Sequence, residues 1–161
     1  MLMKNIDVYT KPFDYAAAHN EAEKYNKSFT ANIACKEAIE TAVDANYADN
    51  RLNTKAAARQ VLDQFGADRV AYVLAVTIKA KDYDGRISPA NKAWAQTIST
   101  ADDKNNRYLI VDKCNPGLTD LFAKQFRTEL QEHKPSVLEK LTAQSARTSP
   151  QLASKLKNME R

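Results

Sequence analysis

The sequence predicts a mainly α protein: a compact single-domain helical fold with one or two short strands, carrying a basic helix-forming tail. Three observations predict it. Only three glycines (Gly66, Gly85, Gly117) occur in 161 residues, too few for the turns of an all-β fold or for a phosphate-cradling loop. Alanine and straight-chain polar residues, which lose least on entering a helix, are plentiful instead. Apolar residues also recur at helical spacing between Asn, Ser and Pro punctuation. With 43% hydrophobic and 27% charged residues, the chain has the composition of a globular domain that needs no disulfide or metal to build its core.

The elements follow in order. Asn5 to Thr10 alternates Ile6, Val8 and Thr10 with polar residues, as a short strand or an extended lead-in. Pro12 suits a first helical turn, and residues 12–25 read as a helix with Phe13, Ala17 and Tyr25 inward. Ser28 or Thr30 caps a second helix. It places Phe29, Ile33, Ile39, Val43 and Tyr47 on one stripe, with Glu37 and Glu40 on the wet side. Asn53 or Thr54 opens a third helix with Ala58, Val61, Leu62 and Phe65 inward, stopped by Gly66. Asp68 caps residues 69–81, the most apolar segment of the chain, which therefore belongs at the centre. Its β-branched content would also suit a strand, but the cap and the length favour a helix.

Gly85 makes a turn, and Ser88 with Pro89 caps a short helix that runs to Ile98 and holds the only tryptophan, Trp94. Residues 99–106 read as a solvated loop. Residues 107–113, with Leu109, Ile110 and Val111 in succession, read as a strand or a buried extended piece. Asn115 and Pro116 open a helix with Leu118, Leu121, Phe122, Phe126 and Leu130 at helical spacing. Pro135 marks a boundary, so the domain is taken as residues 1–133 and the tail as residues 134–161. In the tail, Ser136 and Glu139 form a capping-box pair.

Charge divides at the same point. Residues 134–161 hold six basic and two acidic side chains, which is the chain's whole net charge of +4. The body balances 18 basic against 18 acidic residues. It is neither a basic nucleic-acid platform nor an acidic mimic of DNA, so attraction to phosphate belongs to the tail. No apolar run spans a bilayer and no signal-peptide core is present, so the expected location is the cytoplasm, without membrane contact. Cys35 and Cys114 sit among apolar neighbours and read as buried free thiols of a reducing compartment.

No catalytic pattern emerges. His19 and His133 lie in separate elements with no ligand at metal spacing, and a Cys35/His19 pair has no motif behind it. Asp82-Tyr83-Asp84-Gly85 resembles the start of a calcium loop, but its glycine comes too early and position 12 is Ala93 instead of glutamate. The pair Asp82 and Asp84 lacks a third carboxylate for a nuclease metal. The expectation is a protein without enzymatic activity, metal or cofactor. Interface chemistry remains. Tyr83, Asp84, Arg86, Asn91, Lys92 and Trp94 crowd one turn, and Tyr, Trp and Arg are the side chains that most often anchor interfaces or stack on bases. The bland alternative places Trp94 in the core and pairs Arg86 with Asp82 or Asp84. With Lys140, Arg147, Lys155 and Lys157 of the tail, these ten residues form the candidate partner-binding set.

Residues 32–40, 64–78, 81–98 and 115–127 form four ordered blocks that resemble an uncharacterised bacterial domain family. That family occurs on plasmids, integrative elements and phages of gut bacteria, beside conjugation and anti-restriction genes, and the likeness runs from about Tyr9 to Leu130. The resemblance extends to a type II anti-CRISPR protein of gut-bacterial origin. It implies an inhibitor that binds a bacterial RNA-guided nuclease, with its guide RNA, and blocks its engagement of DNA. The alternative is a nucleic-acid-binding regulatory or conjugation accessory protein of a mobile element. The partners to be considered are thus a protein, nucleic acid through the tail, and a second copy of the chain.

Overall fold

The protein is described by a computed structural model, which covers residues 5–133. It is mainly α. The helices are α1 (Phe13–Ala18), α2 (Ala22–Ala45), α3 (Thr54–Phe65), α4 (Ala67–Ala80), α5 (Pro89–Gln96) and α6 (Pro116–His133), with a 3-10 segment at Lys104–Leu109. Strands β1 (Tyr47–Ala48) and β2 (Arg51–Leu52) pair antiparallel, Tyr47 opposite Leu52 and Ala48 opposite Arg51. The chain divides into two compact units, Met1–Phe126 and Arg127–Arg161. Of the second, the description covers only the last turns of α6. No described helix is long and apolar enough to cross a membrane.

In the first unit α4 is the central element, and every residue from Arg69 to Ile78 is buried. Helices α2, α3 and α5 pack around it, and α1 packs on α2. Val61 and Phe65 of α3, Ile39 and Val43 of α2, and Phe122 and Phe126 of α6 add large buried apolar side chains to the core. Tyr72, Val76 and Leu109 make a smaller cluster, lined by Val8, Phe29, Ile33 and Ile110.

The scarcity of glycine is met with asparagine and aspartate. Gly66 (φ 83°) ends α3 and begins α4, a left-handed position where a Cβ would be strained. The other positive φ values fall on Asn20, Asp49 and Asn50, residue types that tolerate this region. Asp49 and Asn50 form the two-residue connection of the hairpin, where both positions need positive φ. No glycine marks the turn, which is why periodicity passes over it.

Several expected elements take another form. Residues 5–10 form no strand: Asn5 lies in a turn, Ile6 in a bend, and residues 7–10 have no regular structure. The first helix stops at Ala18, and α2 runs unbroken through Ser28 and Thr30. Ser28 caps nothing, because its Oγ accepts from Tyr9 N (2.9 Å) and from Arg69 Nη1 (3.2 Å). Ala16 is the buried residue of α1, whereas Phe13 and Ala17 are exposed. Tyr47 lies on the hairpin, exposed. Gly66 caps α4 in place of Asp68, which sits in the first turn. Leu121 faces outward on α6.

Of the strand or buried extended piece expected at 107–113, no strand forms, and the same contact explains why Glu40 is buried instead of wet. Leu109 closes the 3-10 segment, and the chain then runs extended with its amides taken by side chains. Val111 N donates to Thr77 Oγ1 (3.0 Å), and Asp112 N and Lys113 N both donate to Glu40 Oε2 (3.0 Å each). Lys36 Nζ lies 3.3 Å from Glu40 Oε1. The two backbone donors satisfy Oε2, while Oε1 has the ion pair to Lys36 and no hydrogen bond among the described residues. No neighbouring strand is needed.

Arg69 holds the lead-in down. It is 1% exposed, and donates through Nη1 to Ser28 O (3.0 Å) and to Asn32 Oδ1, and through Nη2 to Ile6 O (2.6 Å). Desolvation lowers its pKa, as burial of a cation among neutral acceptors must.

Candidate partner-binding surface

The turn from Lys81 to Ser88 joins two rigid helices. Asp84 N donates to Lys81 O (2.9 Å) and Ile87 N to Asp84 O (3.2 Å). Asp84 then grips Arg86 three times: its Oδ1 accepts from Arg86 N (2.9 Å) and Nε (3.1 Å), and its Oδ2 from Nη2 (2.9 Å). This is a bidentate fork closed by a backbone amide. The side-chain bonds from Arg86 hold the Asp84 carboxyl well below its usual range, at about 2. Ile87, beside it, is fully buried and nails the turn to the core. Tyr83 is left 79% exposed, presented on a backbone that cannot easily rearrange.

The other expected contacts of this stretch separate into different roles. Ser88 caps α5 by accepting from Asn91 N (3.2 Å). Asn91 is not a surface residue: it is fully buried, and its Nδ2 donates to Asp120 O (3.0 Å) and Asp120 Oδ1 (2.6 Å). Asp120 Oδ1 also accepts from Ser88 N (2.9 Å), so Asn91 belongs to an internal network that ties α5 to α6. Trp94 is half-buried, its ring edge-on to Phe126 at 5.9 Å between centroids. Lys92 is partly exposed on the same short helix. Tyr83 and Arg86 thus stand exposed beside an Asp84 carboxylate that is itself only 12% exposed, while Asn91 has turned inward. Lys140, Arg147, Lys155 and Lys157 lie outside the described residues.

The nucleophile pairing of Cys35 with His19 is not assembled. Cys35 is completely buried, and desolvation pushes its thiol up to about 12, which removes the thiolate that nucleophilic chemistry needs. His19 sits at the surface, its ring stacked on Tyr15 at 3.8 Å and its Nδ1 2.8 Å from Tyr15 O. Cys114 is half-buried, its thiol also raised by desolvation. Among the described residues no group of three or more His, Cys, Asp or Glu side chains is placed to hold a metal.

The sequence reading missed one feature. A concavity of about 300 Å³ lies between the C-terminal half of α4 and the 3-10 segment, lined by the apolar Val76, Ala80 and Ile110 and by Lys79 and Arg107. Lys79 Nζ donates to Ile98 O (2.8 Å) and Thr100 Oγ1 (3.1 Å). The Arg107 guanidinium lies 4.7 Å over the Tyr108 ring and donates to its hydroxyl (2.7 Å). Tyr108 itself is half exposed. The adjacent Arg-Tyr pair was the available signal, masked because residues 107–113 read as a strand or a buried extended piece.

No curated protein and no solved structure matches the chain. The match to a known family covers residues 8–131, over α1 to α6 and the turn that carries Tyr83, and its model is described as a protein of unknown function (DUF3849). By that match the chain belongs to the DUF3849 family.

Proposed function

We propose that this protein acts by occupying a partner's surface, as a non-catalytic inhibitor of a bacterial RNA-guided nuclease that blocks its engagement of DNA inside the host cell. The observation that carries the binding reading is the Tyr83 turn. An exposed tyrosine on a backbone clamped by the Asp84–Arg86 fork loses little freedom on docking, and Tyr and Arg are the usual anchors of an interface. The neutral body favours a protein-facing role for the domain and leaves phosphate attraction to the tail. The choice of a nuclease as partner rests on the likeness to mobile-element proteins.

The test is direct. The purified full chain should co-elute with a guide-loaded type II effector and protect target DNA from cutting, and Tyr83→Ala should weaken both by about tenfold or more. Absence of co-elution and of protection would end this reading. A second reading, a nucleic-acid-binding accessory protein of a mobile element, is favoured by the six basic against two acidic residues of the tail. It requires direct DNA or RNA binding that falls steeply with salt and disappears when residues 135–161 are deleted.

A further inference from the structure

We propose that the concavity between α4 and the 3-10 segment is a second docking pocket, which takes an apolar side chain flanked by a carboxylate on a segment of a protein partner. It is separate from the Tyr83 turn and does not depend on which protein the partner is.

Complementarity identifies the occupant. The floor offers Val76, Ala80 and Ile110, and no acidic side chain lines the pocket. Val76 and Ile110 also belong to the cluster around Tyr72 and Leu109, so the floor is fixed by the core. At the rim stand two cations, and neither has an ion-pair partner among the described residues. Lys79 is steered by two neutral acceptors, which leaves one of its three N–H donors. Arg107 is held against Tyr108, and its guanidinium keeps further N–H donors beyond the one that meets the hydroxyl.

Size and charge decide the source. At about 300 Å³, open at its mouth, the pocket is at the small end for an enclosed ligand, which normally buries most of its own surface. It suits a single anchoring side chain, with the half-exposed Tyr108 continuing the contact outside. A polyanion is disfavoured because Asp102, Asp103 and Asp112 flank the same stretch of chain. A lone carboxylate beside an apolar anchor pays little for those charges.

The experiment is an amide NMR titration of the full chain with the blocked tetrapeptide acetyl-Gly-Phe-Glu-Gly-amide at millimolar concentration. The expected result is saturable shifts at Val76, Lys79, Ala80, Arg107 and Ile110. Arg107→Gln should weaken binding about two- to fivefold, as for a rim charge, and Ala80→Phe, at an exposed position, should abolish it by filling the pocket while leaving both cations. Neither exposed substitution threatens the fold, and an unchanged spectrum elsewhere verifies this. The proposal is overturned if these amides do not move, or if the blocked Gly-Phe-Gln-Gly peptide binds as tightly. It is also overturned if a dT12 oligonucleotide moves them instead, or if 3-phenylpropionate alone binds as tightly as the peptide.

Discussion

Replacing Asn91 with alanine separates an interface role from an internal one. The side chain is fully buried and gives Asp120 two hydrogen bonds, one to its carbonyl oxygen at 3.0 Å and one to its carboxylate at 2.6 Å. A neutral bond of this kind contributes about 1 kcal/mol and one to a charged acceptor about 1.5–3 kcal/mol. Asp120 keeps the Ser88 amide at 2.9 Å, so its carboxylate is not wholly orphaned. The expected loss for Asn91→Ala is therefore about 2–3 kcal/mol. For a unit of this size that lowers Tm by roughly 8–10 °C. The assay is thermal or urea unfolding followed by circular dichroism, with the urea m-value unchanged. A surface contact residue would shift stability by no more than about 0.5 kcal/mol. A Tm within about 2 °C of wild type, together with lost partner binding, would refute the internal assignment.

Two further outcomes follow from the titratable groups. The Asp84 carboxyl titrates at about 2 because Arg86 bonds it; in Arg86→Ala its midpoint should return toward the ordinary 3.8, read by carboxyl carbon NMR. Its folded value lies below its unfolded one, so the ordering of the turn is fully present above about pH 4 and is lost as pH falls through about 2. An Asp84 midpoint that ignores Arg86 would contradict the fork. The thiols should also react in sequence. A disulfide reagent should label half-buried Cys114 in the native protein and reach fully buried Cys35 only on unfolding, so Cys114→Ser should leave no fast phase. Fast labelling of Cys35 would show that α2 opens locally.

How much was legible in the sequence follows from which signals are local. The helical class, α3 with its Asn53 cap, the buried α4 and the Ser88-Pro89 start of α5 could all be read from capping chemistry and a 3.6-residue period. Tyr83, Asp84 and Arg86 were legible as a cluster because they are neighbours in sequence and their contacts span two residues.

Long-range partners had to be seen in three dimensions. Ser28 resembles a helix cap until Tyr9 and Arg69 claim its hydroxyl, and α2 then runs through it. Glu40 resembles a solvent-facing residue until the amides of Asp112 and Lys113, more than 70 positions away, need an acceptor. Those bonds in turn replace the sheet partner that residues 110–113 would otherwise require. Asn91 turned inward because Asp120 of α6 lies against it. The pocket at Lys79 and Arg107 exists only because two segments with different local signals meet. The sequence by itself determined helix content, the caps of α3 and α5 and the charge division, which depend on neighbours within a turn or two. The tertiary structure decided which polar side chains are internal and which face solvent, because one distant hydrogen bond outweighs a local preference of a few tenths of a kcal/mol.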